Sequence, residues 1–198
     1  MRALSVLIGL TLAMSAQAQT GTKPDPLPAT VSPAAVLSVV TADWNNDGWF
    51  DRAVLVEGED AEANLYIYLS AMNADGTRRR DLVVQKPDAL WRGILWGTQP
   101  SLAVTDKGAL LLKSGNDSVG RSRWSQVATV VYRNSEFIVA GLTFTSRDTL
   151  DPNAGGTCDL NLLTGQGKRN GKAITIPPKA TRLVDWQGDD GPPKICDQ

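Results

Sequence analysis

The chain has 198 residues, 42% of them hydrophobic and 21% charged, which is the balance of an ordinary globular protein. A formal net charge of −1 gives no electrostatic case for binding nucleic acid or an anionic membrane. The absence of histidine removes the commonest general base and the commonest zinc ligand.

Met1-Arg2 opens the chain with a positive charge, an apolar run follows from Ala3 to Met14, and Ala16-Gln17-Ala18 offers a small-x-small cleavage site. Residues 1–18 therefore read as a signal peptide, and export to the periplasm or beyond is expected. The apolar run is too short to span a bilayer, and no later stretch approaches that length. Residues 19–33, with Pro24, Pro26, Pro28 and Pro33, read as a solvated, extended leader. The remainder, 34–198, is long enough for one domain with a substantial core.

The first strand is expected from Ala34 through Val40, and its return from Arg52 to Val56; both are short and β-branched. Between them lies Asp43-Trp44-Asn45-Asn46-Asp47-Gly48-Trp49-Phe50-Asp51. Oxygen-bearing side chains fall at loop positions 1, 3, 5 and 9, and glycine at 6. A hard cation such as Ca2+ seeks about six to eight oxygens, and a tightly curled loop can aim alternate side chains inward. Asp43, Asn45 and Asp47 are candidate side-chain ligands, Asp51 a direct or water-mediated one, and Trp49 would add its carbonyl. An EF-hand would close with glutamate at position 12, where Val54 stands, and would have helical flanks. An Asx-rich turn that holds no ion is the alternative.

This pattern, Asp-x-Asn-x-Asp-Gly-x-x-Asp followed by a small apolar strand, resembles the calcium loop of FG-GAP and VCBS-type repeats. The resemblance implies a Ca2+-binding β-hairpin like that of a propeller blade, with Asp43, Asn45, Asp47 and Asp51 in the liganding places. The chain shows one such copy, too few for a full propeller.

Glu57-Gly58-Glu59-Asp60 reads as a solvated polar turn, with outer-shell charge for the loop as the alternative, and Asn64–Ser70 as a strand with Leu65, Ile67 and Leu69 on one face. Asp75-Gly76 marks a hairpin, and a strand begins near Leu82. Arg78-Arg79-Arg80 reads as a charged strand edge, with an anion site as the alternative. Pro87 to Pro100 admits a short helix after Asp88, whereas Gly93 and Gly97 favour an irregular loop. Strands are then expected at 102–105, 109–113, 124–132, 136–145, 158–165 and 172–176, with Cys158 paired to Cys196. The fold class is all-β or β-dominated, blade-like or a sandwich.

Gly120-Arg121-Ser122-Arg123-Trp124, Val139-Ala140-Gly141 and Cys158-Asp159-Leu160-Asn161-Leu162-Leu163-Thr164-Gly165 also resemble pieces of an uncharacterised family of exported bacterial proteins. That resemblance implies a periplasmic protein and no particular activity.

Catalytic patterns are thin. Neither Ser-x-x-Lys nor Gly-x-Ser-x-Gly occurs, and the glycine pairs lack the Walker ending. Asp148 with Asp151, or Asp159 meeting Glu136, are the carboxylate pairs that a glycosidase would need; Asp148, Asp151 and Asn153 would alternatively form a second cation site. The six tryptophans are expected to fill the core and cover the loop rather than form an exposed platform. The sequence thus points to an exported, monomeric, non-catalytic calcium-binding module for a protein or glycan partner. A carbohydrate-active hydrolase and an inhibitor of a secreted enzyme are the alternatives.

Overall fold

Strands joined by tight turns account for nearly all regular structure, and no α-helix occurs among the described residues. The computed structural model describes residues 31–188 and 194–196. The expected signal peptide and residues 19–30 of the expected leader lie outside that range. The β-dominated expectation holds.

The first sheet contains β1 (Val36–Ala42), β2 (Asp51–Glu57), β3 (Glu62–Met72) and β4 (Arg78–Trp91). They run antiparallel in the order β1-β2-β3-β4, a simple meander of the kind that forms one blade of a propeller. The second sheet runs β5 (Ser101–Val104), β6 (Leu110–Asn116), β7 (Ser122–Arg133), β8 (Glu136–Asp148), β9 (Gly155–Asn161), β10 (Gln166–Arg169) and β11 (Lys172–Thr175), each paired with the next. A short β12 (Thr181–Arg182) pairs with β8.

The two sheets share one core. Ala53, Leu55, Leu65 and Ile67 from the first meet Leu110, Leu112, Ala128, Val130 and Val139 from the second, all fully buried. Alternation along β3 sends Leu65 and Ile67 to this core, with Leu69 packed at its edge. Each fully buried leucine or isoleucine contributes roughly 1.5–3 kcal/mol relative to exposure. Tyr66 and Tyr68 point the opposite way and form a smaller cluster with Val54 and Val56. The middle strands of the first sheet are therefore apolar on both faces.

Two expectations need correction. The region after Asp88 does not form a helix: β4 continues through Pro87 to Trp91, where Ala89 and Leu90 are buried. Proline is tolerated because β4 is an edge strand. Asp88 adopts a left-handed φ of 48°, and its N–H is taken by Asn64 Oδ1 at 3.0 Å. The segment expected as one strand over 158–165 ends at Asn161, and β10 follows it before β11. Cys158 and Cys196 are joined, which ties the described end of the chain to β9.

Candidate cation site

Ala42 of β1 pairs with Asp51 of β2, so the intervening loop leaves and rejoins the sheet at one point. Asn46 and Gly48 take left-handed φ values of 58° and 87°, which curl the chain tightly. A Cβ added at Gly48 would meet nothing within 4 Å, so the backbone angle rather than crowding selects glycine.

The curl turns the predicted ligand side chains onto the loop's own amides. Asp43 Oδ1 accepts from Asp47 N at 3.1 Å, and Asp43 Oδ2 from Gly48 N at 2.8 Å. Asn45 Oδ1 accepts from Asp47 N at 3.2 Å, while its Nδ2 donates to Asp47 Oδ2 at 3.0 Å. Asp47 Oδ1 accepts from Trp49 N at 2.9 Å. Asp43, Asn45 and Asp47 are thereby gathered on one side of the turn, and every carboxylate oxygen involved keeps a second lone pair.

Asp51 behaves differently. It is 0% exposed and lies on the face of β2 that carries Ala53 and Leu55. Its Oδ2 accepts from Trp44 N at 2.9 Å and its Oδ1 from Ser70 N at 2.8 Å, so it links the loop to β3. Ser70 Oγ in turn donates to the Phe50 carbonyl at 2.7 Å. Burial pushes the Asp51 carboxyl above its ordinary value; the two amide bonds oppose this, and repulsion from Asp47 and Asp43 adds to it. Asp47 and Asp43 thus lie within electrostatic reach of Asp51. Nothing in the spacing of the motif pointed to Ser70, which lies 19 residues beyond Asp51.

Aromatic packing holds the loop from outside. Trp44 is buried against Phe137, with ring centroids 5.7 Å apart. Arg78, at the start of β4, lies over the Trp49 ring at 4.4 Å. Glu57, Glu59 and Asp60 stand at the far end of β2, about 20 Å away at roughly 3.3 Å per residue. They are not an outer shell for this loop.

The donors are all oxygen, which suits a hard cation. Among the described residues no group of three or more Asp, Glu, Cys or His side chains stands in metal-holding geometry. An ion here would therefore draw on Asn45 and backbone oxygen as well as on Asp43 and Asp47.

The other carboxylate candidates lie outside this loop. Asp148 Oδ2 accepts from Arg121 Nε at 2.5 Å, and its Oδ1 accepts from the N–H groups of Leu150 and Asp151. Asp151 accepts from Asn153 N at 3.0 Å. Both carboxylates are bound into the β8–β9 turn. Asp159 on β9 pairs with Thr143 of β8, seven residues along that strand from Glu136. At about 3.3 Å per residue these two carboxylates are roughly 23 Å apart, beyond any glycosidase pair. Arg78, Arg79 and Arg80 lie exposed on the edge strand β4, the charged edge expected of them, with Arg78 over Trp49 and Arg79 paired with Asp81. A groove of about 670 Å3 crosses β7–β11 between Thr129, Asp159, Asn161, Gln166 and Lys168, away from the loop.

The tryptophans divide. Trp44 is buried, and Trp91 and Trp124 lie against each other with centroids 5.4 Å apart. Trp96 is 91% exposed, contrary to the expectation that all six are core or cover.

Comparison with protein-family models, with curated proteins and with solved structures returned no match.

Proposed function

We propose that this chain is an exported, non-catalytic binding module whose β1–β2 hairpin is stiffened by Ca2+. Asp43, Asn45, Asp47 and the Trp49 carbonyl would bind the ion, with Asp51 behind them directly or through water. The observation that carries the reading is the convergence of Asp43, Asn45 and Asp47 on the inside of one left-handed curl. The likeness of the spacing to FG-GAP and VCBS loops supports it. The Cys158–Cys196 disulfide supports an oxidising compartment.

Bound Ca2+ neutralises the mutual repulsion of Asp43, Asp47 and Asp51 and fixes the turn between β1 and β2. The residues' own task is to hold their oxygens inward, which the loop amides already do. Because only the folded hairpin presents that set, ligand linkage stabilises the fold, by about 2.7 kcal/mol at a hundredfold excess over Kd. The partner, a protein or a glycan, meets a hairpin that the ion stiffens.

Thermal melts in EDTA, then with Ca2+ or Mg2+, test this. Ca2+ raises Tm by about 5–10 °C at saturation. Mg2+, which demands tighter octahedral geometry, raises it much less. An unchanged melt with Ca2+ overturns the reading and leaves the loop an Asx-rich turn.

A further inference from the structure

Ile94, Leu95 and Trp96 are consecutive and 81, 50 and 91% exposed. Single exposed apolar residues are ordinary; three large ones together at a bend are not. The bend is held in place. Gly93 and Gly97 frame it with φ of 63° and 84°. A Cβ on Gly93 would come within 2.5 Å of Thr98 Oγ1, and one on Gly97 would overlap Ser118 Oγ. Thr98 N donates to the Leu95 carbonyl at 3.1 Å, Ser118 Oγ to the Trp96 carbonyl, and Asp117 N to the Gly97 carbonyl at 3.2 Å.

Two further loops complete this end of the second sheet. The β6–β7 turn brings Val119, 42% exposed, and the β8–β9 turn brings Leu150, 75% exposed. Thr149 N donates to the Arg121 carbonyl at 3.1 Å, which joins those two turns. Five of the ten exposed large hydrophobic side chains among the described residues thus lie at one end of the second sheet. Beside them Arg121 pairs with Asp148 and Arg147 with Asp117, while Asp151, next to Leu150, accepts from the Asn153 amide.

We propose that this end docks on a zwitterionic phospholipid surface, with Ile94, Leu95 and Trp96 entering the interfacial layer. Consecutive side chains at a bend diverge, so a flat protein face would cover one and leave the others wet. A fluid interface surrounds all three. An indole suits that depth because it is apolar with one polar N–H. The exposed Arg–Asp pairs can exchange partners with headgroup phosphate and ammonium, which is the complement a zwitterionic surface offers. Their balance gives no attraction to net negative charge. Docking is therefore driven by insertion and is insensitive to salt. The cation loop lies at the opposite end of the first sheet, beside Asp51 and Met72 rather than Glu57 and Trp91, so docking is independent of Ca2+.

Co-flotation of the chain with vesicles of phosphatidylcholine and phosphatidylethanolamine, in EDTA and at low and high salt, tests this. The chain floats with the vesicles in both salts, and phosphatidylglycerol adds little. Trp96→Ser lowers the affinity about tenfold, Ile94→Ser with Trp96→Ser abolishes flotation, and Val39→Thr on the far sheet leaves it unchanged. Lipid-borne bromine quenches the fluorescence of the unaltered chain and quenches Trp96→Phe distinctly less, a readout that does not depend on a serine variant folding. Failure of the unaltered chain to float, or flotation that survives loss of Ile94 and Trp96, overturns the proposal. So does a concentration-dependent dimer that Trp96→Ser dissolves without any vesicle binding, which would make the tip a contact between copies. None of these outcomes touches the calcium reading.

Discussion

Replacing Asp51 by alanine separates the two roles that the loop combines. The carboxylate is fully buried and satisfies two backbone amides, Trp44 N and Ser70 N. Truncation leaves both donors without acceptors, at about 1–3 kcal/mol each. The loss is offset in part by removing a charge that burial and the neighbouring Asp47 and Asp43 disfavour. A net destabilisation of about 3 kcal/mol follows, equivalent to about 6–12 °C in Tm for a chain of this size. Because the amides need their acceptor whether or not an ion is present, the loss persists in EDTA. Asp43→Asn contrasts with it. The amides of Asp47 and Gly48 are exposed, so water replaces the lost acceptor and the melt in EDTA stays close to that of the unaltered chain. Urea and thermal unfolding of both variants in EDTA and in Ca2+ would compare them. An Asp51→Ala loss below about 1 kcal/mol in EDTA, or equal losses for the two variants, would refute the assignment of Asp51 as the structural anchor. The pH dependence has a definite sign. The folded chain holds the Asp51 proton more tightly than the unfolded chain does, so this group opposes folding as pH rises through its raised value. That cost fades as pH falls toward the ordinary 3.8.

Asp148 carries the opposite sign: the Arg121 hydrogen bond, followed by the Leu150 amide, holds its carboxyl below 3.8. It therefore adds stability above that pH, which is lost as pH falls through the depressed value. Asp148→Asn should narrow the difference between neutral and acid unfolding, and an unchanged acid limb would contradict the assignment. Removal of the Cys158–Cys196 bridge by changing both residues to serine should cost roughly 3–4 kcal/mol in urea unfolding, given the separation of 38 residues. A cost below about 1 kcal/mol would mean that the tail is held by other contacts.

Much of the fold is readable because its turns carry their own chemistry. Asp75-Gly76 was readable as a hairpin. Gly76 has φ 81°, and Asp75 accepts from both Thr77 N and Thr77 Oγ1. β3 was readable from alternation alone, since Leu65 and Ile67 face a core on one side. β10 was not. Gln-Gly-Lys-Arg has no apolar alternation, and its strand state rests on pairing with β9 and β11, which are partners only tertiary structure supplies. The passage of β4 through Pro87 was hidden for a similar reason: local preference argues for a break there, and the burial of Ala89 and Leu90 overrides it.

The candidate site was legible in its ligands and not in its anchor. Spacing alone singles out Asp43, Asn45 and Asp47, because an Asx-rich curl is a local object whose oxygens and amides lie within a few residues of one another. Asp51 obeys a second rule at the same time. Counting back by twos from the buried Leu55 and Ala53 reaches Asp51, so strand period places it on the core face while loop spacing places it among the ligands. A carboxylate that answers both demands must find buried donors, and the amides of Trp44 and Ser70 are those donors. Ser70 could not be found from the motif, because only the β2–β3 register brings residue 70 to residue 50. The loop is consequently fastened to β3 before any ion arrives. An ion would then act on Asp43, Asn45 and Asp47, the part of the curl that water still reaches, while the buried Asp51 end stays fixed by the fold.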